Sequence, residues 1–452
     1  MSIGILTKEE FIATLQHYLS ASGPIQSAEL LRGRKRQLET VEEAFASPGR
    51  NVFIYGDRGV GKTSLAQTAA HQHQSSDRDP IIVACDASTT FSNMVQSIAN
   101  KILANPLGSN MRSTTKLKAG VPSVVSAERE MTSDRGGNTP LVTDINSAVL
   151  LLKHLSDGRR DKTVVVVDEF DLIRNEDDKV SIANLLKQVG DQKIDIQFIF
   201  CGIGKSLDTL LGAHGSAHRY IQEVKLEPLV YGPRLEIIEA SASAFGVDIE
   251  TRIKTRIAAV SDGFPHYVHL VCEKLYWEMF RDPKPCPAVT LEHYRNAIRS
   301  AIEAAQQRHR KAYEKATMKE AGDYEEILWA AANHSDLFQN NDVIYASYQK
   351  IMEMRGKQPV ERAKFTPKLS SLKSPSCGRI LTSPRRNWTE FQENMIRGYV
   401  RLRAEDQGIE LAQECVPSKE TSEVWMSKME SKTPRSTFRS KIPPGVFIRR
   451  KR

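Results

Sequence analysis

Eight consecutive residues constrain this chain more than any other stretch: Gly56-Asp57-Arg58-Gly59-Val60-Gly61-Lys62-Thr63. They fill every fixed position of the phosphate-binding loop that joins a strand to a helix. Glycines let the backbone fold so tightly that successive N–H groups point at anionic oxygens. The flanks agree, because apolar residues 52–55 precede the loop and a helical pattern runs from 62 toward 73. That helix would turn the positive end of its dipole to the same oxygens. Lys62 is placed to reach the β- and γ-phosphates of ATP, the Thr63 hydroxyl is placed to ligate Mg²⁺, and Ser64 completes the cradle. A surface glycine turn ahead of a basic helix is the alternative, and both flanks argue against it.

About a hundred residues later comes Val164-Val165-Val166-Val167-Asp168-Glu169. A carboxylate ending a buried strand can reach the magnesium shell from across the loop, so Asp168 is the expected metal residue. Glu169 is the expected general base for an attacking water. Strands often end in acids, and only the preceding loop makes this pair informative. Asp171 reads as a helix cap or a surface acid. Apolar runs at 52–55, 80–85, 163–167 and 194–201 alternate with amphipathic helical stretches. That order predicts an α/β core with a parallel sheet between helices.

At 452 residues the chain exceeds one core. The spacing predicts an N-terminal helical segment (1–33), a nucleotide-binding core (34–228) and a helical lid (229–290). A linker helix (291–322), a small domain (323–414) and a basic disordered tail (415–452) follow. Within the core, 105–140 lapses into Gly, Ser, Asn, Pro and Lys and reads as an inserted loop. The small domain should hold helices near 325–332, 341–354 and 364–372, a hairpin from 379–383 and 388–392, and a helix at 394–405. Six scattered cysteines give no metal-ligand spacing and fit a reduced, cytoplasmic protein. No secretory signal or membrane-length apolar run is visible, so no membrane role is expected.

The net charge of +8 is unevenly spread. Residues 416–452 hold ten Lys/Arg against three Asp/Glu, and 353–386 hold nine against two. All of the basic excess therefore falls in the last quarter, which points that part toward a polyanion.

The segment Arg32-Gly33-Arg34 through Gln37-Leu38, the phosphate loop and the Val-Val-Val-Val-Asp-Glu-Phe-Asp run together resemble AAA+ ATPases. Within them the chain is most similar to the origin-recognition and replication-initiator group, and also to bacterial relatives near the STAND ATPases. The resemblance spans about residues 30–280. It implies ATP hydrolysis, a polar sensor after the next strand, and an arginine finger that serves a neighbouring subunit. Here Gln197-Phe198-Ile199-Phe200-Cys201-Gly202-Ile203-Gly204 offers no Asn or Thr at its tip, leaving Lys205 or Ser206 as substitutes. Arg219 falls at the finger position, against the alternative of an ordinary surface arginine, and as a finger it implies a homo-oligomer. The lid should carry a second sensor arginine. His266 is the nearest polar group there, and a packing or capping histidine is its plainer reading.

Residues 324–412 resemble in element order a winged-helix domain, with 362–372 as recognition helix and 380–391 as wing. Lys364, Lys368 and Lys373 would then face phosphates, and Arg385 and Arg386 at the wing tip would enter a groove. Duplex DNA, reached through 355–386 and the tail, is the expected partner. A solvated basic face on a protein-interaction domain is the alternative. Three functions follow: a DNA-associated ATPase, an ATP-bound switch that recruits a protein effector, and, least in keeping with the organisation, a small-molecule kinase.

Overall fold

The computed structural model describes residues 3–21, 23–74, 79–104, 141–158, 162–204, 207–208, 217–284, 286–318 and 323–412. The expected inserted loop (105–140) and basic tail (415–452) lie outside the described residues, as do Lys205 and Ser206.

Five strands build the central sheet: β1 (Asn51–Gly56), β2 (Ile81–Ala84), β3 (Thr163–Asp168), β4 (Ile196–Gly202) and β5 (Ile221–Leu226). Their order is β2-β3-β4-β1-β5 and every pairing is parallel. Alternation along each strand divides the side chains between two cores. Val52, Ile54, Val164, Val166 and Ile199 face one side. Phe53, Val165, Val167, Phe198 and Phe200 face the other, where Phe53, Phe170 and Phe200 meet edge-on or stacked. Being buried on both faces explains why β3 reads as an unbroken apolar run rather than an alternating one. Phosphate loop and Asp168 both lie at the carboxyl edge of this sheet, where open α/β sheets bind ligands.

The next helices, Tyr231–Phe245, Thr251–Val260 and Pro265–Arg281, fill the segment expected as the lid. The N-terminal helix Lys8–Tyr18 starts with a Thr7/Glu10 capping box and docks on them, its Phe11 packed against Phe245, Trp277 and Phe280. The expected single linker helix is instead two, Leu291–Ala304 and Gln307–Thr317. No glycine or proline marks the break. Arg310 stabilises it by folding back onto the carbonyl oxygens of Ile302 (3.4 Å), which also accepts the Ala305 N–H, and Glu303 at the end of the first helix. The second helix buries His309, Tyr313 and Ala316. Tyr313 donates to Glu325 (2.6 Å) and accepts from the Trp329 indole (3.0 Å), which fixes the following unit to it.

That unit runs helix Tyr324–Ala332, β6 (Phe338–Asn340), helices Asn341–Met354 and Arg362–Ser371, then β7 (Leu381–Thr382) and β8 (Trp388–Phe391). The three strands form an antiparallel sheet in the order β6-β8-β7. A final helix, Ile396–Asp406, packs back on the lid. There Arg256 pairs with Glu405, Tyr294 donates to Glu405 (2.9 Å), and Arg299 meets Asp406 at 3.2 Å.

Gly398 shows how close this approach is. A Cβ there would lie 2.3 Å from Cδ2 of the buried Tyr267. Helix propensity alone would favour alanine by about 1 kcal/mol. The contact reverses the sign, and Gly398→Ala is expected to destabilise the protein by about 1–3 kcal/mol in urea unfolding. Equal or greater stability of the variant would show that the lid and the final helix are not so tightly apposed.

Candidate functional site

The loop after β1 is shaped by its neighbours. Gly56 takes φ +155°, and a Cβ on it would stand 2.2 Å from the Leu226 carbonyl oxygen, so no larger residue fits. The helix Lys62–His73 begins immediately after Gly61. Lys62 Nζ donates to the carbonyl oxygens of Gly56 (3.0 Å) and Asp57 (2.9 Å), closing the loop on itself. Burial pushes the Lys62 ammonium below its ordinary pKa, and the surrounding Cys201, Asp171, Asp168 and Asp57 act in the opposite direction. Arg34, buried, ties the loop base to the end of β5 by donating to Val60 O (2.9 Å) and Glu227 O (2.7 Å). Burial lowers its pKa to about 10, with Glu227 opposing.

Across the loop, Thr63 Oγ1 donates to Asp168 Oδ2 at 2.7 Å, although 105 residues separate them. The β2–β3 pairing sets this geometry, since Ala84 lies beside Asp168 and the Cys85 N–H donates to the Asp168 carbonyl (2.9 Å). A hydroxyl and a carboxylate oxygen in contact are two hard donors within reach of one ion, and they fit Mg²⁺. Glu169 has φ +54°, a region costly for a residue with a side chain. Its N–H donates to Asp168 Oδ1 (2.9 Å), and its half-exposed carboxylate stands 3.6 Å from Arg58. Asp171, expected as a cap or surface acid, lies in the 3₁₀ turn Phe170–Leu172 and lines the same cleft.

The cleft holds about 780 Å³. Lys62, Thr63, Asp168 and Glu169 converge on it, so the sequence-predicted core of the site is assembled. Ser64 also lines the cleft, and its Oγ accepts the Ile25 N–H (3.1 Å). The tip of β4 brings Ile203 to the cleft and no polar sensor among the described residues. Arg219, in the short helix Ala217–Tyr220, is not at its own cleft. It precedes Ile221, which pairs with Asn51 at the far end of β1 from Gly56. Five residues of strand put it roughly 16 Å away.

His266 follows its plainer reading: its Nδ1 lies 2.8 Å from the Ala21 carbonyl, pinning the 20–25 segment over the site. Neighbouring His269 accepts the Ser20 N–H at Nδ1 (3.4 Å), and burial lowers its pKa to about 4, with His266 adding to the effect.

Sequence reasoning missed the far wall, which is built by Gln306, Arg308, Gln392, Glu393 and Met395. Asn394 Nδ2 donates to Asp57 Oδ2 (3.1 Å), and Met395 fills the space beside Gly59, where a Cβ would meet its sulfur at 2.7 Å. Nothing local in the sequence marks these residues, because packing brings them from more than 240 positions away.

A parallel sheet carrying this loop and the Thr63–Asp168 pair defines a P-loop nucleotide-binding protein. Residues 30–199 match the family model described as the AAA ATPase domain. No curated protein matches the chain. Among solved structures it is similar to a Walker-type ATPase of Pyrococcus abyssi, 13% identical over 84% of this chain and 99% of that one, with a TM-score of 0.47. The ORC2 protein of Aeropyrum pernix, solved as ADPNP–ADP complexes, is 15% identical over 86% and 98%, with a TM-score of 0.44. Cdc6p of Pyrobaculum aerophilum is 14% identical over 86% and 98%, with a TM-score of 0.42. Among the described residues, no helix is long and apolar enough to cross a membrane.

Proposed function

We propose that the chain is an ATPase that binds Mg²⁺–ATP, hydrolyses it, and uses its nucleotide state to control assembly on duplex DNA. The observation that carries the nucleotide part is the direct contact between Thr63 and Asp168 beside a complete phosphate loop. Thr63 Oγ1 and Asp168 would hold Mg²⁺, which when bound supplies positive charge to the phosphate oxygens. Lys62 leaves the Gly56 and Asp57 carbonyls to meet the β- and γ-phosphates. Glu169 takes a proton from the attacking water at its carboxylate, and its exposure leaves room for that water. Arg219, remote from its own cleft, is assigned to the nucleotide of a neighbouring subunit, so full activity requires a homo-oligomer.

The DNA part rests on residues 324–391, whose helix–strand–helix–helix–strand–strand order and three-stranded sheet support the winged-helix reading. Arg362–Ser371 would be the recognition helix. Its basic residues are unequal. Lys364 is exposed, whereas Lys368 is paired with Asp323 (3.2 Å) and Lys373 donates to Ser383 (2.6 Å). At the wing tip Arg385 and Arg386 are exposed, and the Arg385 guanidinium lies 3.8 Å from the Trp388 ring centroid. Salt titration of duplex binding by fluorescence anisotropy tests this assignment. Replacing both wing arginines by alanine should flatten the log K against log salt slope by about 2, at roughly 0.9 per phosphate contact. An unchanged slope would remove the wing from the interface.

A second reading is the ATP-bound switch that recruits a protein effector. It is favoured by the lack of an Asn or Thr in Cys201-Gly202-Ile203-Gly204 at the β4 tip and by the packing of residues 394–395 on the phosphate loop. It predicts long-lived bound nucleotide and no salt-dependent DNA affinity.

A further inference from the structure

The nucleotide cleft has a cation that no phosphate-binding motif accounts for. Arg308, on the helix Gln307–Thr317, lines the same cleft as Lys62. Its guanidinium pairs with Glu393, its Nε donates to Gln306 Oε1 (2.8 Å), and the side chain remains 42% exposed. Glu393 also lies 3.4 Å from His309 Nε2. Burial would raise its pKa, but His309, Arg308 and Arg58 outweigh burial and keep it below the ordinary carboxylate value.

Charge at the cleft is unbalanced. Asp168, Glu169, Asp171 and Glu393 line it, against the cations Lys62, Arg58 and Arg308. Asp57, hydrogen-bonded to Asn394, adds a further acid beside it. A nucleoside triphosphate brings more negative charge to the cleft than one Mg²⁺ offsets, and its terminal phosphate is the part furthest from the base. Lys62 is divided between the β- and γ-phosphates and Arg58 stands 3.6 Å from Glu169, so the terminal phosphate has room for a further partner. Arginine suits phosphate because its planar fork makes two parallel hydrogen bonds. The lid supplies no such residue near its own turn, where His266 is occupied with Ala21.

Resting on the nucleotide-site reading above, we propose that Arg308 recognises the terminal phosphate of a bound nucleoside triphosphate, with Glu393 as its counter-ion when that phosphate is absent. Arg308 then moves from a carboxylate to a phosphate, and Glu393 loses its main partner while facing new negative charge. Glu393 is continuous with Asn394 and Met395, the residues that lie on Asp57 and Gly59. The exchange therefore weakens the grip of segment 392–395 on the phosphate loop, while a diphosphate leaves it closed.

Calorimetric titration of the full chain with ATPγS and with ADP, each with Mg²⁺, tests this. In the wild type, ATPγS should bind more tightly than ADP. Arg308→Ala should reduce the ratio of the two affinities by about tenfold, the scale of one charge-assisted bidentate contact, and leave ADP affinity within twofold. Arg308→Lys should recover part of the ratio, and Glu393→Gln should strengthen ATPγS binding by freeing the arginine. Amide hydrogen exchange at 392–398 should quicken with ATPγS but not ADP, and that difference should vanish in Arg308→Ala. Equal losses for both nucleotides, or an unchanged ratio with wild-type binding intact, would overturn the role of Arg308. Wild-type protein that binds neither nucleotide would instead overturn the site on which the role rests.

Discussion

Glu169→Gln is expected to slow ATP turnover by about 10²–10⁴-fold while leaving ATP affinity within a few-fold. The substitution keeps shape and removes only the basic carboxylate. Glu169 makes no contact that builds the loop. Its side chain is half exposed, and its partner is Arg58 at 3.6 Å, a pair of little structural worth at such exposure. Asp168 is the opposite case, since it holds Thr63 and its backbone oxygen joins the β2 end. Phosphate release assayed alongside nucleotide binding separates the two roles. Turnover at the wild-type rate in Glu169→Gln would move the base to another group in the cleft.

Asp262→Ala is expected to cost about 3–5 kcal/mol of stability, because it strips the counter-charge from two buried guanidinium groups. Asp262 sits at the turn ahead of the lid helix with φ +52° and is almost fully buried. Arg401 Nη2 meets one of its oxygens at 2.8 Å, and Arg397 Nε lies 2.9 Å from the other, close enough for an ion pair but without hydrogen-bond alignment. Both arginines also hold the carbonyls of the 332–336 turn, and Arg401 donates to Ala259 O (2.7 Å). Alanine at 262 leaves those carbonyl bonds but not the charge balance. Urea unfolding followed by circular dichroism gives the number. A loss below about 1 kcal/mol would mean that the arginines are neutralised by the carbonyl dipoles alone.

The parts legible in the sequence share one property: their residues are close along the chain or obey a simple period. The phosphate loop is contiguous, and β1, β3 and β4 are apolar because the sheet is covered on both faces. The helix Arg362–Ser371 and the β7–β8 hairpin also follow from turn chemistry and periodicity. Strand β6 escaped because it is three residues long and carries a half-exposed phenylalanine. The break after Ala304 escaped because Ala305 and Gln306 are ordinary helix formers, and the stop is set by Arg310 reaching back. At the site, Arg308 and Glu393 are separated by 85 positions, and Asp57 and Asn394 by 337. No local pattern encodes such meetings. They depend on the final helix docking on the lid through Asp262, Arg397 and Arg401.

Coupling of nucleotide chemistry in this cleft to DNA is read from steady-state ATP hydrolysis by the full chain. Turnover is measured with and without duplex DNA at two salt concentrations. Turnover is expected to depend on Mg²⁺ and to rise with duplex DNA, with a stimulation that shrinks as salt increases. Tightly held ATP, negligible turnover and no response to DNA at either salt would contradict this coupling and leave the partner-recruiting switch.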